Sequence, residues 1–236
     1  MKFLKRALVA SVAAVALAIG PAVSAEAAKM SFDVTKLSAK NMVIANSDCK
    51  YFDVHMKYKK KNVDSWSVDA DIAGRYGNST TAFFGTYSRP YDKDRAMICP
   101  SLEGLGKYRI GPSEIDADYD DADYNSYWYA RTDYTKGYFY VRGKAYASLS
   151  TKRSGKTVTL TSKTKVYNPE KYGKVTYNPK VKFQVKSGSK WKTLKTVTAK
   201  KGKATYKVKS KTKKTYRVTF SQISWATGAT SKSVKR

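Results

Sequence analysis

The chain is 236 residues long and carries 46 Lys and Arg against 18 Asp and Glu, a formal net charge of +28. With one histidine and two cysteines, it lacks the residues for a histidine-rich metal site or a multi-disulfide framework, and a histidine triad has a single candidate. The length suits one large or two small domains.

The first element is a leader. Lys2, Lys5 and Arg6 precede an apolar run over residues 7–19, then Gly20 and Pro21 break the helix. Small residues offer cleavage after Val23-Ser24-Ala25 or Ala25-Glu26-Ala27, so residues 1–28 read as a cleaved secretory signal peptide. The apolar run falls short of the ~20 residues of a membrane span, and no later segment is apolar enough to be one. The expectation is an exported protein, extracellular or associated with the cell wall.

Beyond the leader almost every segment alternates with period two. Phe52, Val54, Met56 and Tyr58 face one way, while Asp53, His55 and Lys57 face the other. Trp66, Val68, Ala70 and Ile72 repeat the pattern, as do Phe139, Val141, Ala145, Ala147 and Leu149. Half-buried antiparallel strands alternate in this way and helices do not. Cys49 and Cys99 both lie in this half, and export predicts a disulfide between them. Cys49 has the opposite parity to Phe52, Val54 and Met56, which places the bridge at a strand end or edge unless a bulge intervenes. His55 falls on an outward face, between Asp53 and Lys57.

Acids then cluster. Glu114, Asp116, Asp118 and Asp120 share one parity, with Asp121 and Asp123 just beyond. Such oxygen-rich runs are candidate calcium ligands, although the helical calcium-loop pattern fails: Asp121 stands where glycine belongs and Tyr127 where glutamate does. Aromatics surround them: Tyr119, Tyr124, Tyr127, Trp128, Tyr129, Tyr134, Tyr138 and Tyr140. Rigid amphipathic rings of this kind form contact surfaces for protein or glycan; alternation sends some of them inward.

The second half repeats the strands with a different surface. Val158, Leu160, Thr164 and Val166 alternate with Thr and Lys; Val181, Phe183 and Val185, then Ala204, Tyr206 and Val208, then Tyr216, Val218 and Phe220 follow. Ser187-Gly188-Ser189 marks a hairpin turn. Residues 148–236 hold 25 Lys and Arg against one acid, Glu170, a net of +24, where residues 29–147 net +2. Asymmetry on this scale points to an anionic partner. Lys180, Lys182, Lys186, Lys207 and Lys209 fall on outward positions and are the candidate polyanion contacts. Sequence-specific nucleic-acid reading is not expected, since arginine is scarce and no reader motif appears.

Short strands with frequent turns indicate β-sandwiches. An internal echo, Gly106-Lys107-Tyr108-Arg109-Ile110 against Lys214-Thr215-Tyr216-Arg217-Val218, is similar to the late strand of an immunoglobulin-like sandwich, where a tyrosine pins a corner. Residues 150–236 resemble the small immunoglobulin-like repeats of secreted actinobacterial proteins, through 181–197 (VKFQVKSGSKWKTLKTV), 202–207 (GKATYK) and 215–218. The expected fold is all-β: two tandem immunoglobulin-like antiparallel sandwiches, at 29–148 and 149–236, with the changeover near residues 146–154. The resemblance implies no catalytic residue. The expected function is a non-enzymatic binding or adhesion protein whose lysine-rich domain is retained on an anionic cell-wall polymer or other polyanion. The first domain then contacts a protein or glycan. The alternative is a soluble effector or inhibitor of another protein, with the charge incidental.

Overall fold

The computed structural model describes residues 30–86 and 90–236; the signal-peptide reading, residues 1–28, lies outside them. The described chain is all-β, with a four-residue helix Pro100–Glu103 and a 3₁₀ turn Pro169–Lys171 as its helical pieces.

The first unit comprises β1 (Ser31–Ala39), β2 (Met42–Ile44), β3 (Lys50–Lys61), β4 (Ser65–Gly74), β5 (Gly77–Thr86), β6 (Pro90–Tyr91), β7 (Lys93–Ile98), β8 (Gly106–Asp120), β9 (Ser126–Asp133) and β10 (Gly137–Gly143). One sheet runs β1-β3-β7 and the other β2-β10-β8-β4-β5-β6, with β9 added to β8. The second unit comprises β11 (Ala145–Ser154), β12 (Thr157–Asn168), β13 (Gly173–Thr176), β14 (Lys180–Ser187), β15 (Lys190–Thr198), β16 (Lys203–Lys209), β17 (Thr215–Phe220), β18 (Ala229–Thr230) and β19 (Val234–Lys235). Its sheets are β11-β12 with β13 and β16, and β15-β14-β17 with β18 and β19.

The two units share one wiring. The second long strand of each pairs with the strand four places later, β3 with β7 and β12 with β16. In the facing sheet β8 lies beside β4, and β17 beside β14. This Greek-key arrangement of two packed sheets, antiparallel apart from the parallel β2–β10 pair, is the immunoglobulin-like pattern. The sequence echo therefore marks equivalent strands, with Tyr108 on β8 and Tyr216 on β17, both buried.

Each sandwich has its own core. Phe32, Val54, Met56, Trp66, Val68, Phe84, Tyr108 and Phe139 belong to the first, Val158, Leu160, Val181, Phe183, Tyr216 and Val218 to the second. The parities read from the sequence are those observed, because a strand alternates its side chains whatever its partners. The cores change over between Val141 and Ala145, a few residues ahead of the expected 146–154: β11 lies wholly in the second sandwich.

Cys49 and Cys99 are bridged. They continue the register of β3 and β7 by one step beyond Lys50↔Ile98, so the bridge ties the ends of adjacent strands in one sheet rather than crossing the core. That geometry accounts for the parity of Cys49.

Candidate functional site

The acids and the aromatics from Tyr119 to Tyr129 lie on one long hairpin of β8 and β9, with Tyr134 just beyond it and Tyr138 and Tyr140 on β10. The lower part of β8 pairs with β10 through Ile110, and the upper part, from Ser113, pairs with β9 on one side and β4 on the other. Gly111 makes the break at φ +86, in the left-handed region that favours glycine, where any Cβ would run into the carbonyl of Thr135. Asp133 fixes the hairpin base to β1. Its carboxylate accepts from the backbone N–H of Val34 at 3.1 Å and of Thr135 at 2.8 Å, and lies 3.3 Å from the Arg131 guanidinium. Burial by itself would raise the Asp133 pKa; the Thr135 and Val34 hydrogen bonds and Arg131 outweigh it and hold the carboxyl below its usual range.

Alternation puts Glu114, Asp116, Asp118 and Asp120 on the outward face of β8, all exposed. The sheet then adds two acids that lie far off in sequence, Asp69 and Asp71 of β4, with Asp69 directly opposite Glu114. Burial, then Asp116 and Asp71, raise the pKa of Asp69. Hydroxyl and amide donors offset four of the other acids. Ser65 donates to Asp118 at 2.8 Å, Ser126 to Asp120 at 2.6 Å, Thr132 to Glu114 at 3.0 Å and Asn78 to Asp71 at 3.0 Å.

The calcium expectation is not met by this geometry. Side chains on one face of a strand stand about 7 Å apart, which spreads the carboxylates in a row. Among the described residues no three His, Cys, Asp or Glu are arranged to hold a metal ion. Asp121 serves the turn instead, accepting from the backbone N–H groups of Asp123 and Asn125 and from the Asn125 amide and Tyr127 hydroxyl. The Asn125 side chain, chief among these donors, lowers its pKa.

The aromatic set divides. Tyr119, Tyr127 and Tyr129 pack on the core, and Tyr140 is half-buried beside the Arg142 guanidinium at 4.3 Å. Tyr124, Trp128 and Tyr134 are open to solvent, at 92%, 69% and 74% exposure. Tyr138 is also exposed, under the ammonium of Lys107 at 3.6 Å. Trp128 sits opposite Asp118, so an exposed tryptophan adjoins the acid row. Sequence reasoning missed Asp69 and Asp71; their parity opposite Trp66 and Val68 was visible, their neighbour strand was not.

The lysines also divide. Lys180, Lys182 and Lys186 project from β14 on one sheet, Lys207 and Lys209 from β16 on the other. Packed sheets lie about 10 Å apart and these side chains point away from both, so the five make two faces, not one patch. On the β16 side Lys163 stands directly opposite Lys203, a like-charge pair that destabilises the sheet. The arginines serve structure: Arg153 donates to the carbonyls of Ser210 and Thr212, and Arg217 to Gln184 while lying 4.1 Å from the Trp191 ring centre. Glu170, the one acid of this unit, accepts from the Tyr76 hydroxyl at 2.6 Å and lies 3.9 Å from Arg75, both in the first unit. His55 is exposed on β3, and Asp53 beside it pairs with Lys93 at 2.9 Å; that hydrogen bond holds the Asp53 pKa low.

No family model and no curated protein matches the chain. Among solved structures it is similar to the D00-D0 domain of Intimin, with 14% identity over 87% of this chain and 98% of that one, at a TM-score of 0.26. The D0-D1 domain of Intimin follows at 16% identity, 86% and 97% coverage and a TM-score of 0.25. A Parabacteroides merdae beta-glucuronidase gives 12% identity over 88% of this chain and 25% of that one, with a TM-score of 0.25. Superpositions of this quality carry no functional argument, and the architecture rests on the strand pairing itself.

Proposed function

We propose that the chain is an exported, non-enzymatic binding protein. Its second sandwich retains it on an anionic cell-wall polymer or similar polyanion, and the acidic, aromatic hairpin of the first contacts a protein or glycan. One observation carries the reading: 25 Lys and Arg share the second unit with a single acid, and that acid is engaged by Tyr76 and Arg75 of the first. The lysines on both outer faces are therefore left without acidic side chains of their own unit to pair with. Charge of one sign opposes the compact state, and a polyanion offsets that cost.

The test is binding of the leaderless chain to polyphosphate and heparin across a salt series. Affinity should fall steeply, by about 10³ between about 50 and 200 mM salt if several phosphates are neutralised. Lys180→Glu/Lys182→Glu/Lys186→Glu and Lys207→Glu/Lys209→Glu should each weaken binding, because both faces contribute, with little loss of folding. No binding at about 50 mM salt would return the charge to a solubilising role. A second reading, a soluble effector or inhibitor acting on another protein, draws on the exposure of Trp128 beside the acid row; it would then stand alone.

A further inference from the structure

Lysine on flat β faces attracts polyanions without choosing among them, because an ammonium is a hydrated point charge on a flexible stem. One place on the second unit offers more. Beyond β17 the chain loops through Ile223 and Trp225 before Ala226 bridges to Gly143. This loop and the segment before β14 wall a hollow of about 530 Å³. Its floor is apolar: Tyr177, Pro179 and Phe220 are buried, while Trp225 keeps 37% of its surface open. The Tyr177 ring meets Trp225 edge-on at 5.2 Å, which fixes the indole in place. Lys180 and Lys182 line the same hollow, both exposed. Trp225 also lines a second hollow, of about 430 Å³, that includes Arg75 of the first unit.

Apolar surface left in water at a hollow is surface a ligand gains by covering. The occupant must bring an apolar face for Trp225 and an anion for Lys180 and Lys182. Inorganic polyphosphate has the anion without the face, and a neutral glucan has the C–H face of its rings without the anion. A chain of acidic sugars has both. We propose that this hollow is a subsite for an acidic polysaccharide, a pyranose ring lying on Trp225 and its carboxylate meeting Lys180 and Lys182. The proposal rests on the polyanion reading above and names the class of polymer.

The test titrates the ¹⁵N-labelled leaderless chain with tetragalacturonate, with tripolyphosphate and cellotetraose as controls. The chain has four indole N–H signals, from Trp66, Trp128, Trp191 and Trp225, and that of Trp225 is assigned by its loss in Trp225→Phe. Tetragalacturonate should move the Trp225 signal; tripolyphosphate should bind without moving it. Trp225→Ala should weaken tetragalacturonate about tenfold or more and leave tripolyphosphate within about twofold. Lys180→Gln/Lys182→Gln should weaken both. Should Trp225→Ala misfold, the wild-type indole shift still decides. A still Trp225 signal at saturating tetragalacturonate, an equal shift with tripolyphosphate, or equal binding of cellotetraose overturns the proposal and leaves the polyanion reading standing. Failure of both acidic probes to bind at about 50 mM salt overturns both.

Discussion

Two tyrosines at equivalent positions have different surroundings. The Tyr108 hydroxyl donates to the Gly104 carbonyl at 2.8 Å, closing the corner into β8, whereas the buried Tyr216 hydroxyl has no hydrogen-bond partner among the described residues. Tyr108→Phe should therefore cost about 1–2 kcal/mol by leaving a buried carbonyl unpaired. Tyr216→Phe should be neutral or stabilising, because it removes a desolvated hydroxyl. Urea midpoints at unchanged slope separate the two; equal losses would contradict the assignment. Burial, then the Glu103 and Glu170 carboxylates, push the Tyr108 pKa up. A phenol raised on folding contributes stability that is full below its unfolded pKa of about 10 and is lost as pH rises. Alkaline pH should therefore destabilise the wild type more steeply than Tyr108→Phe.

At the scale of the element, the hairpin depends on its base and the first sheet on its bridge. Asp133 joins β9 to β1 through Val34, Thr135 and Arg131. Asp133→Asn should cost about 1.5–3 kcal/mol at neutral pH, the range for hydrogen bonds to a charged group. A carboxyl lowered on folding contributes stability that is full above its unfolded pKa of about 4 and is lost as pH falls through the folded value. The gap between variant and wild type should accordingly close in acid, which thermal melts across pH will show. The Cys49–Cys99 bridge spans 50 residues and sits at strand ends already held in register, so it acts mainly on the unfolded chain. Cys49→Ser/Cys99→Ser should keep the native fold while losing about 2–4 kcal/mol. Intact mass after alkylation of exported wild type should show no free thiol.

Across the whole molecule, the junction is bonded on both sides. Lys144 donates its N–H to the Ile44 carbonyl in the first unit, and its carbonyl accepts from Tyr167 in the second. Gly143 donates to the Trp225 carbonyl and accepts from Thr227. A Cβ at Gly143 would run into the Tyr167 carbonyl oxygen, with Leu105 and Val166 close behind. Gly143→Ala should cost about 1–3 kcal/mol as an overpacked site and loosen the two sandwiches. Small-angle scattering should then show a broader distribution of lengths, and unchanged profiles would argue that the junction absorbs the methyl.

What the sequence determined by itself was everything that alternation controls. Phe52, Val54 and Met56 point inward and Lys180, Lys182 and Lys207 outward because side-chain direction along a strand is set within the strand. Parity also placed the bridge at a strand end or edge unless a bulge intervened, and the charge asymmetry was a matter of counting. What only the tertiary structure decided was which faces meet. Asp69 meets Glu114 across a pairing of strands that lie some 45 residues apart in the chain, Lys180 and Lys207 part onto opposite sheets, and Tyr108 finds a carbonyl where Tyr216 has none among the described residues. Trp225 carries no periodic signal at all, and only the loop that packs it against Tyr177 places it beside Lys180 and Lys182. Local periodicity fixes a side chain's direction, and the pairing of distant strands fixes its neighbours.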